Sequence, residues 1–340
     1  MNLLQLPTLI RRTILISVLP VALGFFIGGL IVFIVLVPLF LVQTRSSYAK
    51  AFFRCGRVTA MLAWYLLLEC LGVFSAGALW ILSGGGLLKN VRWMQRLHGK
   101  VQYRWTSGLL FGAKIFLNAN IDFPDCSTLR SGPMIIISQH RSFFDACIPS
   151  VLVGKAKGML VLRHVLKSEL LLSPSLDLFG HRLPNYFVKR KSSNRDQEIG
   201  AIRSLGIGLD GDACVIFPEG TFYSKRRFAA SLAEIEKTDN ERLLRVQNLR
   251  HILPIRPGGI LALLDATADT DLVVIGHSGF ERFSSFRDIF RNVPFTSPIK
   301  ITLKRIAHTE IPGNDRDRVR FLDEQWQSID IWNEEIRQIS

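Results

Sequence analysis

The chain has 340 residues, enough for one larger domain or two smaller ones around a sizeable core. Hydrophobic side chains make up 48% of it, and the apolar excess lies before residue 90, which excludes a protein that is soluble along its whole length. The formal charge of +14 points to nucleic acid, an anionic membrane surface or a phosphorylated substrate; no nucleic-acid-binding module and no interleaving of aromatics with arginines is present, so nucleic acid is set aside as a partner.

Residues 13–42 carry no charged side chain and are bracketed by Arg11 and Arg12 before and Arg45 after. A hydrocarbon core of about 30 Å needs roughly 20 helical residues, so this run is expected to span, tilted or bent near Pro20 or Pro38. It is too long for a cleavable signal peptide and lacks a small-residue cleavage site. A second apolar run, residues 58–82, is interrupted only by Glu69 and stops at Gly84, Gly85 and Gly86. Glu69 is costly in lipid and reads either as functional or as a group that meets a partner or headgroup water.

Two such runs predict a transmembrane hairpin with both ends on one side of the membrane. Those ends hold Arg11, Arg12, Lys89, Arg92, Arg96, Lys100 and Arg104, against Arg45, Lys50, Arg54 and Arg57 in the intervening loop. The positive-inside rule then predicts an integral protein of the cell inner membrane whose soluble part faces the cytoplasm. The five cysteines (Cys55, Cys70, Cys126, Cys147, Cys214) are odd in number and not spaced as a zinc site, which fits a reducing compartment.

Residues 87–111 put Leu88, Val91, Met94 and Leu97 at helical spacing beside Lys89, Arg92 and Arg96, the pattern of an interfacial helix. Strand-like runs then alternate with helical ones: 114–117, 134–137, 159–162, 186–188, 214–217, 272–275 and 299–303. Alternation of this kind predicts an α/β domain with a mostly parallel central sheet. A last helix over about 316–336 carries Phe321, Leu322, Trp326, Ile329 and Trp332 among many charges. The expected organisation is a membrane-anchoring hairpin (1–86), an interfacial segment (87–111) and one α/β domain with a C-terminal helix (112–340).

Three strand ends carry chemistry. The apolar run 134–137 leads through Ser138 and Gln139 to His140, with Asp145 five residues on. Open α/β sheets place ligands at the C-terminal ends of their strands, and Asp145 can accept from one imidazole nitrogen and leave the other as a base. The apolar residues 213–217 run into Pro218, Glu219, Gly220 and Thr221, a carboxylate on a tight turn; if the two strands are neighbours, the two ends form one pocket. Residues 185–190 end in Lys189 and Arg190, and an arginine there can hold a phosphate bidentately.

In this order the blocks resemble the lysophosphatidic-acid acyltransferase (1-acylglycerol-3-phosphate O-acyltransferase) family of glycerophospholipid acyltransferases. The His-x4-Asp block is matched by His140 and Asp145, with Gln139 where the family often has Asn. The second block is matched by Phe187, Val188 and Arg190, and the third by Phe217, Pro218, Glu219, Gly220 and Thr221; a fourth, at Ile252, Leu253 and Pro254, is weaker. The resemblance covers roughly residues 45–336 and is closest to the longer branch that includes animal lysophospholipid acyltransferases.

The resemblance implies a glycerolipid-acyltransferase-like α/β domain that moves a fatty acyl chain from acyl-CoA or acyl carrier protein to the free hydroxyl of a lysophospholipid, 1-acyl-glycerol 3-phosphate giving phosphatidic acid. His140 and Asp145 would be catalytic, and Arg190, Glu219, Gly220 and Thr221 would bind the acceptor. Backbone amides near the first block or the Gly220 turn are expected to supply the oxyanion donors. No cofactor and no metal are implied, and the partners are membrane lipids, the acyl donor and the lysophospholipid. The rival expectations are another lysophospholipid or glycerol 3-phosphate as acceptor, an inactive membrane-bound lipid-binding protein of the same fold, and a metal-dependent lipid hydrolase.

Overall fold

A computed structural model describes residues 3–41, 46–158, 160–188, 195–267 and 269–339. In chain order these form α1 (Thr8–Leu41), α2 (Ser47–Leu82), α3 (Arg92–Leu117), β1 (Ile121–Asp122), β2 (Met134–Ser138), α4 (Ile148–Lys155), β3 (Leu162–Lys167), α5 (Pro174–Gly180), β4 (Tyr186–Val188) and α6 (Arg195–Gly206). There follow β5 (Ala213–Ile216), α7 (Lys225–Glu236), α8 (Asn240–Val246), α9 (Pro257–Ala266), β6 (Asp271–Ser278), α10 (Phe286–Asn292), β7 (Ile299–Ile306) and α11 (Asp315–Ile339). They group into two compact units. The first is Met1–Ile121 with Ser168–Leu183 and Ser285–Pro298; the second is Asp122–Lys167, Pro184–Ser284 and Ile299–Ser340.

In the first unit, α1 and α2 are each long and apolar enough, by length and composition, to cross a membrane. Pro20 and Pro38 both lie inside α1. The second helix starts well before the apolar run at 58, because Ser46 caps it by accepting from the Ala49 N–H at 3.1 Å. Lys50, Arg54 and Arg57, expected in a loop, are therefore helical; Arg54 donates to the Val293 carbonyl (3.1 Å) and Arg57 to that of Phe116 (3.0 Å). Glu69 has found a partner. Its buried carboxylate accepts from the Ser173 hydroxyl (2.7 Å) and the Ser175 N–H (3.0 Å) at the start of α5.

Residues 114–117 are not a strand. They are the last turn of α3, whose buried stripe of Leu109, Leu110, Ala113 and Leu117 keeps the helical period past residue 111. The helix stops at Asn118, which adopts the left-handed conformation (φ 60°) and donates from its side chain to the Phe295 carbonyl at 2.7 Å.

In the second unit the strands run in the order β7-β6-β2-β5-β3-β4, with the two-residue β1 outermost beside β7. The pairs β2–β5, β2–β6, β3–β5 and β3–β4 are parallel and β6–β7 is antiparallel, so the architecture is the expected α/β fold around a mostly parallel sheet. The runs at 134–137, 186–188, 272–275 and 299–303 all lie in strands, three of them extended by a residue or more, and the run at 214–217 does so up to Ile216, with Phe217 just past the end of β5. The run at 159–162 is displaced: Met159 lies outside the described residues and β3 begins at Leu162. Both flanks of central β2 are covered, so its five residues are all buried, which is why they read as an unbroken apolar run.

The C-terminal helix α11 packs on this core through Leu322, Trp326 and Ile329. It also straps the segment leading to α9. Trp326 donates to the Leu253 carbonyl at 3.0 Å, Asp323 takes the Arg242 guanidinium at 2.9 and 3.0 Å, and Asp330 accepts from the Arg250 and His251 N–H groups at 2.9 and 2.7 Å. Trp326→Ala leaves a cavity and an orphaned carbonyl at once. We expect a loss of about 3–5 kcal/mol in denaturant-induced unfolding of this second unit.

Candidate active site

The site grows from the C-terminal end of β2. After Ser138 the chain turns tightly, and Asp145, completely buried, organises the turn through both of its oxygens. Oδ1 lies 2.9 Å from His140 Nδ1, while Oδ2 accepts from the N–H groups of Arg141 (2.5 Å) and Ser142 (2.6 Å). With Oδ1 as acceptor, Nδ1 carries the proton and Nε2 presents its lone pair. Among the described residues Nε2 has no hydrogen-bond partner, although the side chain is only 8% exposed. Phe217 and Phe222 flank the imidazole, with ring centroids at 4.6 and 4.4 Å.

Burial works to raise the Asp145 carboxyl, but the His140 and His277 imidazoles overcome it and hold the group well below the usual carboxylate range. Asp145 thus stays an anion beside the base. Cys147 follows it closely, and burial together with the Asp145 charge pushes its thiol up, so it remains protonated and is no nucleophile.

Glu219 reaches this turn from β5, the parallel neighbour of β2, so the two strand ends do meet. Its carboxyl is buried and spans two backbone segments: Oε1 accepts from the His140 N–H (2.8 Å) and Oε2 from the Leu253 N–H (3.1 Å). The weak fourth block is therefore the far end of a strut that begins at His140. Burial pushes Glu219 up to about 8, against the two N–H donors and the Arg141 guanidinium, which pull it down. Because this pKa is raised over the unfolded value, the group favours folding at low pH and costs stability as pH climbs from about 4.3, the ordinary Glu value, to about 8. Glu219→Gln removes that titration. Wild type is expected to lose melting temperature relative to the variant between pH 5 and 8, and a parallel pair of melting curves would count against it.

Gly220 sits at φ +65°, and a Cβ there would come within 3.3 Å of the Arg256 side chain, so the turn requires glycine. Thr221 follows, half-buried. Arg190 lies outside the described residues; β4 is described up to Val188, which pairs with Lys167 of β3. The expected oxyanion donors are mostly committed elsewhere. The amides of His140, Arg141 and Ser142 serve Glu219 and Asp145, and the Gly220 N–H bonds the Phe217 carbonyl at 3.0 Å.

One group that lies outside the sequence motifs is at the centre. His277, near the end of β6, is fully buried with Nε2 3.1 Å from the Gln139 carbonyl and 3.4 Å from Asp145 Oδ2. Its backbone N–H donates to the Gln139 side-chain oxygen (3.0 Å), which also accepts from Asn333 of α11 (3.2 Å). Its position in an apolar run continuing 272–275 was the available signal, since β6 is the other parallel neighbour of β2.

These features define an α/β protein with a His–Asp pair at the carboxyl edge of its sheet. Residues 120–258, less than half of the chain, match the family model described as Acyltransferase, the class that the motif resemblance implied. The crystal structure of the 1-acyl-sn-glycerophosphate (LPA) acyltransferase PlsC from Thermotoga maritima is similar at 12% sequence identity, covering 80% of this chain and 95% of that one with a TM-score of 0.47. Comparison with curated proteins finds no match.

Proposed function

We propose that the chain transfers a fatty acyl group from acyl-CoA or acyl carrier protein to the hydroxyl of a lysophospholipid, with 1-acyl-glycerol 3-phosphate as acceptor and phosphatidic acid as product. The observation that carries this reading is the His140–Asp145 pair at 2.9 Å, Nδ1 facing the carboxylate, within the stretch that matches the acyltransferase family model.

An acyl thioester is already activated, so the task is to deprotonate the attacking hydroxyl. His140 Nε2 takes that proton as the acceptor oxygen bonds to the carbonyl carbon, and Asp145 stabilises the imidazolium. The tetrahedral intermediate collapses with loss of the C–S bond, and the departing sulfur takes the proton back from Nε2. No acyl-enzyme is needed. Arg190, Gly220 and Thr221 are assigned to the acceptor, and Glu219 shapes the acceptor site through the His140 backbone that it supports. The chemistry calls for no cofactor and no metal, so a chelator should leave transfer unchanged.

Residues 1–86 are assigned as an inner-membrane anchor, residues 87–111 as interfacial and the rest as an acyltransferase domain facing the cytoplasm. The test is purified protein in detergent with labelled acyl-CoA and lysophosphatidic acid. Labelled phosphatidic acid supports the reading; transfer only to another lysolipid or to glycerol 3-phosphate corrects the acceptor. Free fatty acid without acceptor, or no turnover with any thioester, overturns it.

A further inference from the structure

The buried imidazole of His277 stands behind the pair described above. Nε2 faces two acceptors, the Gln139 carbonyl and Asp145 Oδ2, so it must carry the proton. Among the described residues the buried Nδ1 has no hydrogen-bond partner, so a proton there would be a buried donor with nothing to bond. Geometry therefore fixes the tautomer as Nε2–H with a bare Nδ1. The ring is held edge-on to Phe280 at 4.9 Å, and its backbone is tied to Gln139, whose amide is in turn held by Asn333. Gln139 departs from the Asn that often precedes the family's histidine; here its amide oxygen serves both β6 and α11.

We propose that His277 is a positioning residue for acyl transfer: its Nε2–H, shared between the Gln139 carbonyl and the far oxygen of Asp145, aims the Asp145 carboxylate at His140 and disperses part of its charge. The inference rests on the reading of His140 as the base. Oδ2 already accepts two backbone N–H groups, and His277 completes a shell in which only Oδ1 is left for His140. The charged and titratable groups around this shell are few. Asp145 faces His277 directly, His140 lies across Asp145, Glu219 meets the His140 N–H, and Glu281 is paired with Arg337 at 2.9 Å.

Removing a donor from Asp145 concentrates its negative charge on the oxygen that faces His140, which strengthens the attraction for the imidazolium. His277→Phe should therefore lower kcat by about tenfold or more with acceptor KM nearly unchanged, as losing an orienting hydrogen bond does. It should also move the acid limb of the kcat/KM profile to higher pH by about half a unit or more. His277→Gln, whose amide can reach the same place as Nε2, should recover most of the rate and the wild-type limb.

Nitrogen-15 spectra of histidine-labelled wild type, with His277 assigned by its loss in either variant, should show a protonated Nε2 and a bare Nδ1. A protonated Nδ1 with a bare Nε2 overturns the proposal even if the phenylalanine variant fails to fold. So does a folded His277→Phe with wild-type kcat and pH profile, provided His140→Ala is inactive. If His140→Ala is itself active, the base assignment falls, and the inference falls with it.

Discussion

His140→Ala is expected to lower kcat/KM for acyl transfer by about 10²–10⁴-fold, the usual contribution of a positioned general base. Loss should fall on kcat, because the ring's contact with the acceptor hydroxyl does its work in the proton transfer of the transition state rather than in holding the bound acceptor. The substitution also leaves Asp145 Oδ1, at the bottom of a buried turn, without the donor it has at 2.9 Å. An unsatisfied buried acceptor costs about 1–3 kcal/mol, so a modest drop in melting temperature should accompany the lost activity. Measuring both separates chemistry from folding: a folded, inactive variant supports the base assignment, and a folded, active one removes it.

The sequence made the first part of this site legible because its members are local. His140 and Asp145 are five residues apart on one turn, and β2 and β5 announce themselves as buried apolar runs that stop at polar residues. What the pattern could not carry is contact across the sheet. His277 meets Gln139 over 138 positions and Asn333 meets it over 194, and no periodicity links residues so far apart. Glu219 was visible as a carboxylate on a turn, but its direction was not: both oxygens are spent on backbone amides, one of them in the segment that the weak fourth block marks.

The front of the chain shows the same division. Composition located α1 and α2, and missed that Ser46 would start the second helix early and that residues 114–117 would continue a helix. Four residues of mixed character fit either period, and the buried stripe of α3 decided between them. Glu69 could be flagged from sequence as costly, but its partners sit more than 100 positions away in the chain, in the segment Ser168–Leu183 of the same unit.

Asp145→Asn should be nearly as damaging as loss of the base, by a different route. The variant's side-chain oxygen is best placed where Oδ2 is now, accepting from the Arg141 and Ser142 N–H groups, which turns the NH₂ toward His140 Nδ1. A donor there requires Nδ1 to accept, so the proton moves to Nε2 and the lone pair that should take the acceptor's proton is gone. An inverted tautomer of this kind costs roughly 10⁴-fold in the serine-protease triad, and a loss of about 10³–10⁴ in kcat is expected here. The same substitution has a signature in stability. Asp145 is held below its unfolded value, so in wild type it contributes stability that is fully present above about pH 4 and fades as pH falls through the lowered value. The asparagine variant cannot lose what it never had. Its melting temperature should lie below that of wild type at neutral pH, and the gap should narrow on acidification below about pH 4; a gap that stays constant to the acid limit would mean that Asp145 is not held as an anion by His140 and the turn.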